Sequence, residues 1–133
     1  MPYQYLLDTN IVSDMIRHPT GSVASKLSEV GEASVCTSVI VACELHFGVH
    51  KSGSIRLQRK LEQVLKVLPV IPLEPPVEIY YAEIRTYLER LGTPIGPNDM
   101  LIAAHALRLD LTVVTANVRE YSCVPSLKVE NWL

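Results

Sequence analysis

The chain has 133 residues, of which 48% are hydrophobic and 6% aromatic, and its formal net charge is −2. This length and hydrophobic content predict one domain with an ordinary buried core, and they exclude a disordered tail or a disulfide-stapled miniprotein. A slightly acidic chain also excludes nucleic-acid binding by charge alone, so any contact with a nucleic acid has to be local or carried by a metal ion.

The cysteines and the hydropathy of the chain bear on where the protein works. Cys36, Cys43 and Cys123 show no C-x-x-C spacing and follow no signal peptide, so we expect reduced thiols in a cytoplasmic protein. The longest uncharged stretch, residues 33–43, is far shorter than the roughly 20 residues that a membrane helix needs. We therefore expect no membrane segment.

The first half of the chain alternates β-prone runs with amphipathic ones. Polar residues at 8–10 and at Ser38 are typical helix caps, and Gly31 ends a helical pattern. The elements predicted here are a strand at 3–7, a short helix that stops before Pro19, a helix at 22–30, a strand at 33–37 and a helix from Ser38 to about Val49. Each predicted strand is thus followed directly by a polar residue.

The second half continues the alternation with longer helices. The leucine-rich pattern along 57–68 has helical spacing, and two prolines within 69–73 restrict that run to an edge strand. The elements predicted here are a helix along 57–68, a strand at 69–73, a helix from Pro75 and Pro76 to Gly92, a helix from Asn98 to about Leu109, a strand at 112–115 and a last strand at 128–132. Because parallel neighbours need helical crossovers, this order predicts an α/β domain with a mostly parallel sheet.

Three acids and one amide occupy the positions where such a sheet binds ligands. Asp8 follows the first strand and Asn117 the strand at 112–115. Glu44 falls in the second turn of the helix after the second strand, and Asp99 at the start of a helix. Ligands bind outside the carboxyl ends of parallel strands, and helical side chains lean toward the helix N-terminus, so we expect the four side chains to converge.

Converging carboxylates need a counter-charge. Anionic groups a few ångströms apart raise one another's pKa and destabilise the fold unless a cation neutralises them. Oxygen ligands without Cys or His favour Mg²⁺ or Mn²⁺ over zinc. Such an ion positions phosphates and generates a water nucleophile, so the pattern points to phosphate chemistry.

Each of these four residues also has a purely structural interpretation. Asp8 and Asp99 both stand where a helix N-cap belongs, and Asn117 is compatible with a turn. Glu44 is compatible with a solvated helix face. The residues alone leave both interpretations open, because the shared site depends on an inferred topology.

Other chemistries find weaker support in the sequence. His46 and His50 stand four residues apart on a predicted helix and could share a zinc ion, but they point away from Glu44. Phosphoryl transfer with Asp8 as nucleophile would need a D-x-D pattern, and the sequence has D-T-N. Residues 51–66 carry five basic residues against one acidic residue, a net +4, which suits either a solvated face or contact with RNA or an acidic partner.

Three segments of the chain resemble one family. They are LLDTNIVS at 6–13, VACELHFGV around Glu44, and GTPIGPNDMLIAAHALRLDLTVVTANVREYSCVPSLKVENW at 92–132. Together they resemble the PIN-domain ribonucleases, specifically the VapC toxins of bacterial toxin–antitoxin pairs. The G-x-P-x-x-x-x-D and T-x-N-x-R-E-[FY] motifs and the terminal ENW make the resemblance specific, and it covers essentially the whole chain.

The resemblance implies a PIN-like three-layer sandwich, with a central five-stranded sheet flanked by helices, as a single PIN domain over residues 1–133. It implies an endoribonuclease that depends on Mg²⁺, with Mn²⁺ as a substitute, and that forms a homodimer and inhibits translation by cleaving RNA. It also implies a VapB-type antitoxin that neutralises the toxin and carries the contact with operator DNA. The T-x-N-x-R-E form is similar to toxins that cut initiator tRNA in the anticodon stem-loop.

The resemblance assigns the acids by position. Asp8, Glu44 and Asp99 look like the three metal-binding acids, and Asn117 stands where many relatives have a fourth acid. This departure keeps an alternative open, namely a PIN-like module that binds RNA or protein with weakened catalysis.

The resemblance also assigns supporting positions. Thr9 and Thr115 match hydroxyl positions that help to arrange the site, and Glu120 supplies an extra acid near it. Tyr121 replaces a commoner Phe, and Ser126 a commoner Gly. We expect both replacements to be neutral.

Overall fold

The structure, a computed structural model, describes residues 2–133. Within these residues the strands are β1 (Tyr5–Leu7), β2 (Val35–Ser38), β3 (Val70–Ile71), β4 (Thr112–Val114) and β5 (Val129–Glu130). The helices are α1 (Thr9–Arg17), α2 (Ser22–Val30), α3 (Val39–Ser52), α4 (Ile55–Val67), α5 (Val77–Leu91), α6 (Pro97–Leu109) and α7 (Val118–Tyr121), with a 3₁₀ turn at Glu32–Ser34.

The strands form one sheet in the order β3-β2-β1-β4-β5, and every pairing in the described part of the chain is parallel. The predicted α/β class with a five-stranded sheet is confirmed. β1 lies at the centre, with Leu6 opposite Cys36 of β2 and Val113 of β4. Because parallel strands end at the same edge, Asp8 and Thr115 emerge side by side there.

The strands are shorter than the β-prone runs that predicted them. β1 begins at Tyr5 and β4 stops at Val114, β5 has only two residues, and residues 32–34 form a 3₁₀ turn before β2. Propensity does not show where a partner strand ends, and the partner sets the length of a paired segment. Backbone pairing continues one residue beyond β4, where the Thr115 N–H donates to the Glu130 carbonyl at 2.9 Å. β3 lies at an edge, as its prolines predict.

Several helix boundaries and one whole helix differ from the prediction. α4 begins at Ile55 and ends at Val67, and α5 begins only at Val77, after both prolines. α3 extends past Val49 to Ser52, because it ends only where Gly53 adopts φ +66°, the left-handed conformation that closes a helix. α6 begins one residue early, at Pro97, since proline suits the first helical position, where an N–H would lack a partner. α7 lies in a region predicted as a loop, because four residues are too few to show a helical period.

The core holds the carboxyl edge of the sheet in place. Leu7 and Val114, the last residues of β1 and β4, are fully buried. Buried residues of α6 pack into the same core: Met100, Ile102, Ala103, Ala104, His105 and Ala106. The buried Thr37 hydroxyl of β2 donates a 2.7 Å hydrogen bond to the Leu7 carbonyl. The backbone directly before Asp8 is therefore fixed from the neighbouring strand.

The three cysteines are free thiols, as their spacing predicts. Burial raises the pKa of the Cys36 thiol to about 12, so this residue is a neutral part of the core. No helix within residues 2–133 combines the length and the apolar character that a membrane crossing requires.

Candidate active site

Asp8 is a buried carboxylate at the end of the central strand, with only 2% of its surface exposed. Its Oδ1 accepts a hydrogen bond from the Thr9 backbone N–H at 2.8 Å, and its Oδ2 accepts one from the Thr115 hydroxyl at 2.8 Å. The N-cap interpretation of Asp8 is therefore correct, since the side chain caps α1. A ligand role remains compatible with it, because each carboxylate oxygen has a further lone pair.

The environment of Asp8 disfavours its negative charge. Burial is the main cause that raises the pKa of the Asp8 carboxyl above its ordinary value, and the charge of Glu44 raises this pKa further. The hydrogen bonds from Thr115 and Thr9 lower it without cancelling the effect of burial. A carboxylate held under these conditions is stabilised by a nearby cation.

Glu44 is connected to Asp8 through Thr9. It lies half-buried in the second turn of α3, and its Oε1 accepts a 2.7 Å hydrogen bond from the Thr9 hydroxyl. The same Thr9 donates its backbone N–H to Asp8. A fully solvated helix face is thus the wrong interpretation for Glu44, because one threonine orients both acids.

Asp99 reaches the site from α6. It is the third residue of that helix, whose N-cap is Gly96, so the alternative that Asp99 itself is the N-cap is wrong. Its Oδ1 accepts a hydrogen bond from the Tyr121 hydroxyl at 3.2 Å. Asp99 is half-buried, which leaves it reachable from solvent.

The acids act on one another electrostatically. Burial raises the pKa of the Asp99 carboxyl, and the negative charges of Asp8, Glu44 and Glu120 raise it further. Asp99 therefore lies within electrostatic range of three other acids, and we call Asp8, Glu44, Asp99 and Glu120 the acidic cluster. They come from four separate segments of the chain, and their role as a shared site stays a prediction.

Asn117 stands at the rim of the acidic cluster. It is exposed and precedes α7, and its side chain makes no capping hydrogen bond to that helix. Its backbone N–H donates to the Thr115 hydroxyl oxygen at 3.0 Å. Asn117 is thereby tied to the same threonine that donates to Asp8.

The acidic cluster fits a hard divalent cation by its chemistry. Its donors are carboxylate oxygens, one of them almost fully buried, and their charges oppose one another. Among residues 2–133, no three His, Cys, Asp or Glu side chains stand close enough together to form a metal site, and this includes the acidic cluster. The zinc alternative at His46 and His50, which involves only two side chains, stays a prediction.

A cleft of about 340 Å³ opens beside the acidic cluster, between α1, α3 and α4. Thr9 and Glu44 form one end of it. The other lining residues are Ser13, Ile16, Arg17, Leu45, Gly48, Val49, Ser52, Leu57 and Leu61. At Gly48 an added Cβ would meet no other part of the protein within 4 Å. The cleft has the size of a ligand site, and Glu44 is the one member of the acidic cluster that lines it.

Two connections in the site have no signal in the sequence. The Asn10 side-chain oxygen accepts a 3.0 Å hydrogen bond from the Ala116 N–H and so holds the segment after β4 against α1. The buried His105 of α6 has its Nδ1 2.9 Å from the Ser38 hydroxyl, which caps α3. Both contacts join residues far apart in the chain, whereas sequence patterns report only near neighbours.

The Tyr121 hydroxyl is the third feature that sequence reasoning missed. The expectation that Tyr is a neutral replacement for Phe stays a prediction, and the structure shows a contact that Phe would lack, since the hydroxyl is buried and donates to Asp99. The position of Tyr121 four residues after Asn117, just beyond the carboxyl end of β4, is the available signal.

The chain matches known proteins over nearly its full length. Residues 5–122 match the family model of the PIN domain. Ribonuclease VapC2 of Rickettsia felis is 39% identical over 130 residues, which are 96% of this chain and 97% of that protein. The tRNA(fMet)-specific endonuclease VapC of Salmonella typhimurium is 33% identical over 130 residues, covering 97% of this chain and 98% of that protein.

A solved structure has the same fold. The crystal structure of VapBC2 from Rickettsia felis, bound to a DNA fragment from their promoter, contains a chain that matches with a TM-score of 0.88. That chain is 38% identical, and the match covers 97% of this chain and 98% of the other. The chain therefore belongs to the PIN domain family, among its VapC ribonucleases.

Proposed function

We propose that the chain is a metal-dependent endoribonuclease that acts as the toxin of a VapBC-type toxin–antitoxin pair. The observation that carries this proposal is the acidic cluster. Its central member, Asp8, is buried, and both of its carboxylate oxygens accept hydrogen bonds that fix its orientation. The names of the relatives, ribonuclease and tRNA(fMet)-specific endonuclease, support the reaction. In this proposal residues 1–133 act as a single PIN domain in the cytoplasm.

Asp8, Glu44 and Asp99 would hold a Mg²⁺ ion, or Mn²⁺ in its place. Held by these residues, such an ion would supply a water nucleophile for the scissile phosphate and positive charge for the phosphate and the leaving oxygen. Thr115 and Thr9 keep Asp8 and Glu44 in fixed orientations before substrate arrives. The reaction then needs little reorganisation of the protein, and no covalent intermediate with the enzyme is required.

RNA is the substrate in this proposal, with initiator tRNA and its anticodon stem-loop as the specific target. The support for that target is the name of the Salmonella typhimurium relative. The net charge of −2 makes binding by overall attraction weak, so the RNA has to be held locally. The exposed Arg56 and Arg59 of α4, the helix that lines the cleft, can supply phosphate contacts.

The proposed partners are a VapB-type antitoxin protein and a second copy of this chain as a homodimer. The solved VapBC2 structure is a complex with promoter DNA, and we propose that operator DNA reaches this chain only through the antitoxin.

A second candidate function is a PIN-like module that binds RNA or protein and is catalytically weakened. The amide of Asn117, at the position where many relatives have a fourth acid, favours it. This module would bind RNA equally well with and without Mn²⁺ and would not cut it.

Cleavage of RNA by the purified chain, with Mn²⁺ and with a chelator, tests the proposal. We expect discrete fragments only with Mn²⁺, and none from Asp8→Asn prepared in parallel to detect contaminating nuclease. Initiator tRNA and an elongator tRNA in separate reactions test the target. Equal cutting by wild type and Asp8→Asn would overturn the nuclease assignment, and binding without cutting would favour the second candidate.

A further inference from the structure

The hydroxyl of Tyr121 contacts the acidic cluster at Asp99. It ends α7, the single turn after β4, and its side chain is fully buried. The hydroxyl donates to Asp99 Oδ1 at 3.2 Å. The ring therefore belongs to the core, while the hydroxyl belongs to the site.

Packing alone does not explain this hydroxyl. A phenylalanine would fill the same volume, and a buried hydroxyl is unfavourable unless it finds a hydrogen-bond partner. The partner here is the Asp99 carboxylate, and the 3.2 Å separation is long for an O–H···O hydrogen bond, but the bond still has a direction. The bond thus constrains Asp99 more than a contact with an apolar ring would.

Asp99 needs such a constraint more than Asp8 does. Both oxygens of Asp8 are held, by Thr9 and Thr115. Asp99 lies at the start of α6 and is only half-buried. The hydrogen bond from Tyr121 goes to Asp99 Oδ1 and does not involve Oδ2.

We propose that Tyr121 is a positioning residue, whose buried hydroxyl holds the Asp99 carboxylate beside Asp8 in the orientation that a divalent cation requires. The inference rests on the proposed metal dependence of the site. Groups that orient a metal ligand from behind typically change metal affinity 10- to 100-fold when they are removed.

Mn²⁺ binding to the full chain, measured by the paramagnetic resonance signal of the free ion, tests this role without any need for RNA cleavage. Tyr121→Phe removes only the hydroxyl and keeps the ring. We expect its dissociation constant for Mn²⁺ to rise about tenfold or more. The matched control is Tyr5→Phe on β1, at the opposite end of the sheet, where the ring packs edge-on against Trp132. We expect this control to bind Mn²⁺ as the wild type does.

A double variant separates positioning from general structural damage. Because Tyr121 acts through Asp99, adding Tyr121→Phe to Asp99→Asn should weaken Mn²⁺ binding less than twofold further. An equal loss in both backgrounds would overturn the inference, and so would wild-type affinity in Tyr121→Phe. If Asp99→Asn loses affinity while Tyr121→Phe does not, only the positioning role fails. A wild-type chain that binds no Mn²⁺ overturns the proposed metal dependence, and the inference with it.

Discussion

The Thr115 hydroxyl donates a 2.8 Å hydrogen bond to Asp8 Oδ2 across 107 positions of the chain. Thr115 is itself fully buried, and its oxygen also accepts the Asn117 N–H. This one side chain therefore joins the end of β4, the end of β1 and the start of α7. Its hydroxyl is as much a part of the fold as of the site.

Thr115→Val tests this double role, because valine keeps the shape and loses the donor. Asp8 would keep a buried oxygen without its partner, so we expect the free energy of unfolding at neutral pH to fall by about 1–3 kcal/mol. Thr115→Ser keeps the hydroxyl and should lose less. Urea denaturation of the two variants is the measurement, and equal stabilities would contradict the prediction.

The acids should rank by their burial and charge in RNA cleavage. Asp8→Asn and Asp99→Asn each remove a charge that the proposed metal site needs, so we expect each to lower the rate by at least about 100-fold while the fold survives. Asn117→Ala, at the exposed rim, should cost less than Asp99→Ala at saturating Mn²⁺. Initial rates at several Mn²⁺ concentrations give the ranking. A loss at Asn117 as large as that at Asp99 would mean that the amide binds metal or substrate directly.

Stability should depend on pH and Mn²⁺ through the same acids. The folded protein raises the pKa of Asp8 and Asp99, so their protonation favours folding. That stabilisation is fully present below the ordinary pKa of 3.8 and is lost as the pH rises through the raised values. Without metal, Asp99→Asn should therefore lose less stability than wild type when the pH rises from about 4 to 7.

Mn²⁺ should stabilise the wild type more than Asp99→Asn. A hundredfold excess over the dissociation constant adds about 2.7 kcal/mol. In a domain of this size that raises the melting temperature by several degrees. We expect the gain in wild type and a much smaller one in Asp99→Asn, measured by thermal denaturation with and without Mn²⁺. A full response of Asp99→Asn would remove Asp99 from the ligand set.

The basic residues of α4 should contribute to the binding of RNA or antitoxin and should not affect the affinity for Mn²⁺. Arg56 and Arg59 are exposed and Lys60 is half-buried, all on the helix that lines the cleft. Reversing these three charges should weaken association with RNA or antitoxin and flatten its salt dependence, while the Mn²⁺ affinity stays constant. Binding titrations at several salt concentrations measure the slope. An unchanged slope would mean that this face is only solvated.

Ser126 offers a test of backbone strain away from the site. Its φ of +67° lies in the left-handed region, where residues other than glycine are strained. We therefore predict a cost for serine here, against the expectation that the replacement is neutral. Glycine adopts this conformation without strain, and we expect Ser126→Gly to stabilise the fold by about 0.5–1 kcal/mol. Ser122→Gly is the matched control, because Ser122 has φ −67° and gains nothing from glycine. Equal effects of the two changes in urea denaturation would contradict the prediction.

Sequence reasoning was able to find the acids because each follows a local signal. Asp8 comes after a β-prone run, and Glu44 follows a capped helix start. These signals, together with the rule for parallel strands, are enough to place both acids at the carboxyl edge of the sheet. The order of the strands was not predictable in this way, since it depends on pairings between distant segments.

The hydrogen bonds that orient the acids lie beyond the reach of such signals. Thr9 contacts Glu44 over 35 positions, and Tyr121 contacts Asp99 over 22. The sequence does not show whether a tyrosine hydroxyl is buried or exposed. For Tyr121, the packing of α6 and α7 determines this. The resemblance to a family identified the threonines by position and passed over Tyr121, where the family pattern has another residue.

Gly48 leaves space in the cleft beside Glu44, because it has no side chain. It lies inside α3, where glycine is about 1 kcal/mol less favourable than alanine, and it has no left-handed backbone or close neighbour to require it. A side chain at this position would extend into the cleft and not into the core. A larger residue at this single position would therefore narrow the cleft beside Glu44 without requiring a compensating change elsewhere in the fold.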